Sequence, residues 1–271
     1  MTNAIFALLG VEAKTAWRKA IPAPLVRIVA IPDPSPAIAA VQAHVARIAL
    51  AFPLCLAGPD ADVDRCASML SGPLFTSADY PWPCAGSRWL EPVVQIDLAW
   101  LGAVGGLVLE AGLVQVWTHD RAAQVRIIPG AAVHPDALVP VPPPDPSAWH
   151  RRTRAVGEDP RSWLADGRAI IGADAPFLDC DPDGLDYLLG EALADDPAAP
   201  LRALLDHARA WAALQVPRFV HRAFGMASGA VDTTALPPVL LTIEEDSRIS
   251  WGDGGSGHLC CDEEGQIRFH S

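Results

Sequence analysis

From Leu70 onward the chain breaks into short apolar runs divided by turn residues, and no other feature restricts its fold as strongly. Gly72-Pro73 and Tyr80-Pro81-Trp82-Pro83 punctuate the first stretch. Apolar runs follow at Pro92 to Asp97, Gly112 to Trp117 and Gln124 to Ile128. Runs of this length bounded by Gly and Pro read as strands. The connections between them are mostly too brief for crossover helices, so the strands pair antiparallel. The same texture returns near the end of the chain: Val239 to Glu244, Ile249 to Trp251, a glycine turn, Leu259 to Cys261, and Ile267 to Phe269.

Elsewhere the pattern is helical. Ser35 suits an N-cap and Pro36 the first helical position. Ile38, Val41, Val45, Ile48 and Ala49 then share one face, which ends before Pro53. Asp183 opens a second helix through Leu185, Leu188, Leu189 and Leu193, and Pro200 opens a third with Leu201, Leu204, Leu205 and Trp211 on its apolar face. Residues 137–160 carry Pro140, Pro142, Pro143, Pro144 and Pro146 followed by Arg151, Arg152 and Arg154, which reads as a surface loop or linker. The expected fold is therefore α+β. Antiparallel sheets come from residues 70–130 and 236–270, with helices from residues 35–50 and 183–215 packed against them. Residues 1–69 are expected as a helical N-terminal extension of a single globular domain over 70–271. Pro92 to Asp97 aligns with Pro238 to Ile243 at a shift of 146, and Gly112 to Val114 with Gly257 to Leu259 at a shift of 145. Such an echo fits an internal pseudo-duplication around a twofold axis, and it also fits chance similarity between strands of a β-rich chain.

Charge narrows the partners. Against 32 Asp and Glu stand 20 Lys and Arg, a formal net charge of −12, which disfavours nucleic acid and anionic membrane surfaces. No long uncharged stretch has the character of a membrane span, and the first ten residues lack the basic start of a signal peptide, so a soluble, cytoplasmic protein is expected. The six cysteines form no C-x-x-C pair, as expected of reduced thiols rather than zinc ligands. Adjacent Cys260 and Cys261 would face opposite sides of a strand.

Several segments carry the residue types of a site. Asp179, Asp181, Asp183 and Gly184 reproduce the opening of a calcium loop, but the twelfth position is Gly190 and Pro182 constrains the turn. Acids decorating a helix N-terminus fit the dipole instead. Between Ala169 and Leu201 eight acids occur with no Lys or Arg. Asp179, Asp181, Asp183, Asp186 and Glu191, with Tyr187 as an aromatic anchor, make an expected partner-binding face for a basic protein, to be weighed against a plain solvated surface. The run from Trp251 to His258 is glycine-rich, yet it leads into a strand rather than a helix, so a hairpin turn suits it better than a phosphate cradle. Trp251, Asp253 and His258, joined by His221, would still supply an aromatic wall, a carboxylate and titratable bases. Nucleophile-elbow, zinc-protease, deaminase and P-loop motifs are missing, and no metal or cofactor is implied.

In order along the chain, Gly72-Pro73, Tyr80-Pro81-Trp82-Pro83, Pro92 to Leu98 and Gly112 to Trp117 resemble the motif series of the YwqG-like family, domain of unknown function 1963. His221 to Gly225, Leu240 to Glu244 and Trp251-Gly252-Asp253-Gly254-Gly255 resemble its later segments. Ser71, Met226-Ala227 and Cys260-Cys261 depart from the family pattern, and residues 1–69 fall outside it. The resemblance implies a compact α+β protein with antiparallel sheets and no established reaction. Some relatives are encoded near contact-toxin genes, which suggests an immunity-type role. The expectation is a non-enzymatic protein-binding module, such as an inhibitor of a toxin. The alternative is a ligand-binding protein or enzyme with a cleft near the Trp-Gly-Asp-Gly-Gly turn.

Overall fold

A computed structural model describes residues 50–58, 61–105, 109–119, 122–143, 167–174, 177–178, 221–225, 239–245, 256–261 and 267–270. One antiparallel sheet dominates them. In chain order its strands are β1 (Leu50–Leu56), β2 (Met69–Leu70), β5 (Glu91–Asp97), β6 (Gly112–His119), β7 (Ala122–Pro129), β8 (Arg168–Ala173), β9 (Phe177–Leu178), β10 (Arg222–Phe224), β11 (Val239–Glu244), β12 (Ser256–Cys261) and β13 (Ile267–His270). A separate hairpin joins β3 (Cys84–Ala85) to β4 (Arg88–Trp89). Across the main sheet the order is β13-β12-β11-β10-β1-β8-β2-β5-β6-β7, with β9 also on β1. The end strands β7 and β13 pack together, so the sheet nearly closes into a barrel.

This corrects the α+β expectation. The described residues are mostly antiparallel β, 50% strand, with α1 (Leu98–Gly105) as their one α-helix. Of the helix expected over 35–50, Leu50 begins β1 and the rest lies outside the described residues, as does the helical stretch at 183–215. The helix α1 has a physical origin that periodicity missed, because LAWLGAVG is apolar nearly all round. Asp97 starts it: its Oδ1 accepts the backbone N–H of Ala99 at 2.8 Å and of Trp100 at 3.1 Å, capping two orphan donors. Leu98 and Leu101 then plug the barrel, and Gly105 lets the Phe224 ring come so close that a Cβ would sit 2.5 Å from Cζ.

The sheet reads alike from either end, and the correspondence extends to single residues. One cross-strand row runs Ala169, Met69, Gln95, Gln115, Arg126; its counterpart runs Pro53, Arg222, Thr242, His258, His270. Ile170 N–H donates to Ser68 O at 2.9 Å, as Leu54 N–H donates to His221 O at 2.8 Å. Asp97 N–H donates to Ser68 Oγ at 2.8 Å, as Glu244 N–H donates to His221 Nδ1 at 3.2 Å. Left-handed backbone falls at matching positions too, with Ser71 (φ 55) and Gly72 (φ 74) in one half and Phe224 (φ 60) and Gly225 (φ 89) in the other. Strain at these non-glycine residues therefore belongs to the architecture of a half and not to a special site.

Inside the barrel, the row next to the polar one is apolar in both halves: Leu70, Val94, Val116 and Val125 match Ala223, Leu241, Leu259 and Phe269. Leu70, Val94, Val116, Leu241 and Leu259 are fully buried, and each contributes about 1.5–3 kcal/mol. Outside the first half, β5 and β6 are covered by the segment around the β3–β4 hairpin and by residues 130–141. There Trp82 meets Trp117 edge-on at 4.9 Å.

Proline shapes two strands. Pro53 stands in a central strand, where it has no N–H to give to the ladder. Its oxygen still accepts Asp174 N–H at 2.9 Å, and β8 breaks off from β9 opposite it. Pro92 sits where the β5–β6 register shifts, a bulge that accommodates it. Among the described residues no helix is long and apolar enough to cross a membrane.

Candidate functional site

On the outer faces of the two halves, the matched polar rows have diverged. In the first half, Gln95 and Gln115 are both wholly buried. Gln95 Oε1 accepts Phe75 N–H at 2.8 Å and Gln115 Nε2–H at 2.6 Å, while its Nε2 donates to Arg65 O and Ala67 O. Gln115 Oε1 takes Arg126 Nη2–H at 2.6 Å, and its Nε2 also donates to Phe75 O at 2.8 Å. The Arg126 guanidinium lies 5.4 Å over the Trp117 ring and donates to Pro81 O at 2.6 Å. Burial pulls its pKa down to about 10, against a smaller upward pull from Tyr80. Arg65, whose pKa burial also lowers, binds the oxygens of Pro73, Leu74, Val139 and Thr76. This network fastens the covering loops to β5 and β6.

The second half places charge at the equivalent face. Arg222 occupies the position of Met69, Glu244 that of Asp97 and Ser256 that of Leu113. Arg222 Nη1 forms a buried ion pair with Glu244 Oε1, and Ser256 Oγ donates to Glu244 Oε2 at 2.7 Å. Taking such a pair out of water costs several kcal/mol per ion, recovered only when the remaining polar atoms are also bonded. Glu244 is held by both an arginine and a hydroxyl.

Of the four residues expected around the Trp-Gly-Asp-Gly-Gly turn, two are described. His221 is 8% exposed and His258 wholly buried. Both attach to one strand: Nδ1 of His221 accepts Glu244 N–H, and Nδ1 of His258 lies 3.2 Å from Thr242 Oγ1. The two contacts differ in kind, since His258 meets a side chain of β11 and His221 a backbone amide of the same strand. Because Nδ1 of His221 is an acceptor, its neutral ring carries the proton on Nε2. Trp251 and Asp253 belong to the connection between β11 and β12 and lie outside the described residues. So do Asp179, Asp181, Asp183, Asp186, Tyr187 and Glu191.

Arg222, Glu244 and Ser256 escaped sequence reasoning. The available signal was a charge at the end of the apolar run Val239 to Glu244, and an arginine directly after His221. Among the described residues no group of three or more His, Cys, Asp or Glu side chains is placed to hold a metal ion. Cys55 and Cys66 are half-buried thiols with raised pKa values, Cys55 chiefly by its hydrogen bond to Asp174 and Cys66 chiefly by burial. No protein-family model matches the chain, and no curated protein matches it.

Proposed function

We propose that this chain is a cytoplasmic protein-binding module that receives a basic partner on the acidic stretch between β9 and β10, in the manner of an inhibitor that neutralises a toxin. The carrying observation is a difference in length between two corresponding connections of the halves. In the first half residues 57–68 connect β1 to β2; in the second, residues 179–221 connect β9 to β10. The added length holds Asp179, Asp181, Asp183, Asp186, Glu191, Asp195 and Asp196. Long connections on a rigid scaffold are where binding residues concentrate, and an acidic face steers a cationic partner. The motif series similar to the YwqG-like family supports the immunity-type role. Replacing Asp183→Lys together with Asp186→Lys should abolish capture of basic proteins from native lysate while leaving the melting temperature within a few degrees. Unchanged capture refutes the assignment.

A second reading rests on His221 and His258 both bonding to β11, the strand that leads into the connection bearing Trp251 and Asp253. It makes that corner a small-ligand site. A thermal-shift screen against nucleotides, sugars and divalent metals tests it, because a ligand of the folded state raises the melting temperature by mass action. A shift lost in Asp253→Ala, with the fold intact, favours this reading over the first.

A further inference from the structure

Neither half of the barrel is self-contained. β1 precedes the meander β2-β5-β6-β7 in the chain, yet it pairs with β10 and β8 of the other half. β8 precedes the meander β10-β11-β12-β13, yet it pairs with β2. Each half thus lends its leading strand to the other. The remaining seam, β7 against β13, also lies between halves. In sequence the halves are tied through residues 144–166 alone, whose contour length is at most about 80 Å. The tie starts and ends near one spot. Val141 packs in the cluster around Met69, and a Cβ on Gly167 would lie 3.2 Å from Met69 Cε.

We propose that the chain is a covalently fused pseudo-dimer and that its halves exchange between two copies, so that the first half of each chain closes a barrel with the second half of the other. This stands independently of the acidic-face assignment. Exchange keeps every strand pairing between the halves, β1–β10, β1–β8, β1–β9 and β8–β2, and the packing of β7 on β13. The two states then differ chiefly in the entropy of the tether, so concentration during folding decides between them. A short tether returning to its own barrel acts as an effective concentration in the millimolar range, which sets where exchange competes.

The test uses the full chain with a protease recognition sequence inserted between Pro146 and Ser147, or between Glu158 and Asp159 where the first insertion prevents folding. Refolding from urea at about 1 mM should yield a species of doubled mass by light scattering, absent after refolding a thousandfold more dilute. Cutting the insert should return that dimer to particles of single-chain mass. The cut monomer should stay one particle holding both fragments. In a dimer refolded from equal amounts of isotopically labelled and unlabelled chain, about half the cut particles should contain one fragment of each kind, as random pairing requires. Three results overturn the proposal: no doubled species at 1 mM, a dimer that keeps its mass after cutting, or a cut monomer whose fragments separate on the column.

Discussion

Gln95→Leu is the sharpest probe of how the covering loops are held. Leucine has nearly the volume of glutamine, so no large cavity forms and the loss is one of hydrogen bonds. Four are removed: Phe75 N–H and Gln115 Nε2–H lose their shared acceptor, and Arg65 O and Ala67 O lose their donor. At a net of about 1 kcal/mol each, the cost is about 4 kcal/mol. The Phe75 amide bears the worst of it, since Phe75 is wholly buried and its N–H has no water to turn to. With a urea m value near 3 kcal/mol/M, the unfolding midpoint should fall by about 1.3 M at unchanged m. Hydrogen exchange at Phe75 should accelerate more than at the β5–β6 ladder, because local opening of the 74–82 segment becomes easier. In the double variant with Gln115→Leu, the losses should be less than additive by about 1 kcal/mol, because the bond between the two side chains is counted in each single change. A midpoint shift under 0.3 M, or exchange at Phe75 unchanged, refutes the network as the fastening.

Three further outcomes follow from local geometry. Gly72→Ala should cost more than about 2 kcal/mol by thermal melting, because φ is 74° and the new Cβ would meet Gly167 Cα at 2.6 Å; Gly86→Ala, at φ 61° in open space, should cost only about 1 kcal/mol. Asp97→Ala should lower stability by about 1 kcal/mol through the lost cap, read as a drop in urea midpoint that Asp97→Asn largely spares. Alkylation of Cys55 and Cys66 by iodoacetamide at pH 8 should run well below the rate of the urea-unfolded chain. Their raised folded pKa values keep them as thiols, and the contrast should shrink as pH rises through the folded values.

How far this fold could be read from residues alone varied with the cause of each element. β5, β6, β7, β11, β12 and β13 fall within a few residues of the apolar runs that announced them, since short apolar runs and their bounding turns are local signals. β1 was not legible. Pro53 argues against a strand at any interior position, and only its place opposite the β8–β9 break makes it tolerable. The strand order was out of reach as well, because no local pattern tells β1 to seek residues 222–224. The echo at shifts of 146 and 145 touched the right strands but the wrong partners: the registers match Gln95 to Thr242 and Gln115 to His258. Within the second-half polar cluster, the sequence grouped His221 and His258 with Trp251 and Asp253 but gave no hint of Arg222, Glu244 and Ser256. What brings both histidines against β11 is strand pairing and not spacing.

The placement of β1 has a consequence for synthesis. Its neighbours on both sides, β8 and β10, are translated long after it, about 110 to 170 residues later, so at roughly 5–20 residues per second it emerges many seconds before either can receive it. For that interval Leu50 to Leu56 is an apolar ribbon with bare amide and carbonyl groups on both margins, beside a ribosome crowded with other nascent chains. The central stave of the finished barrel is thus its most sticky segment in the newborn chain, and a holding chaperone would find its first work there.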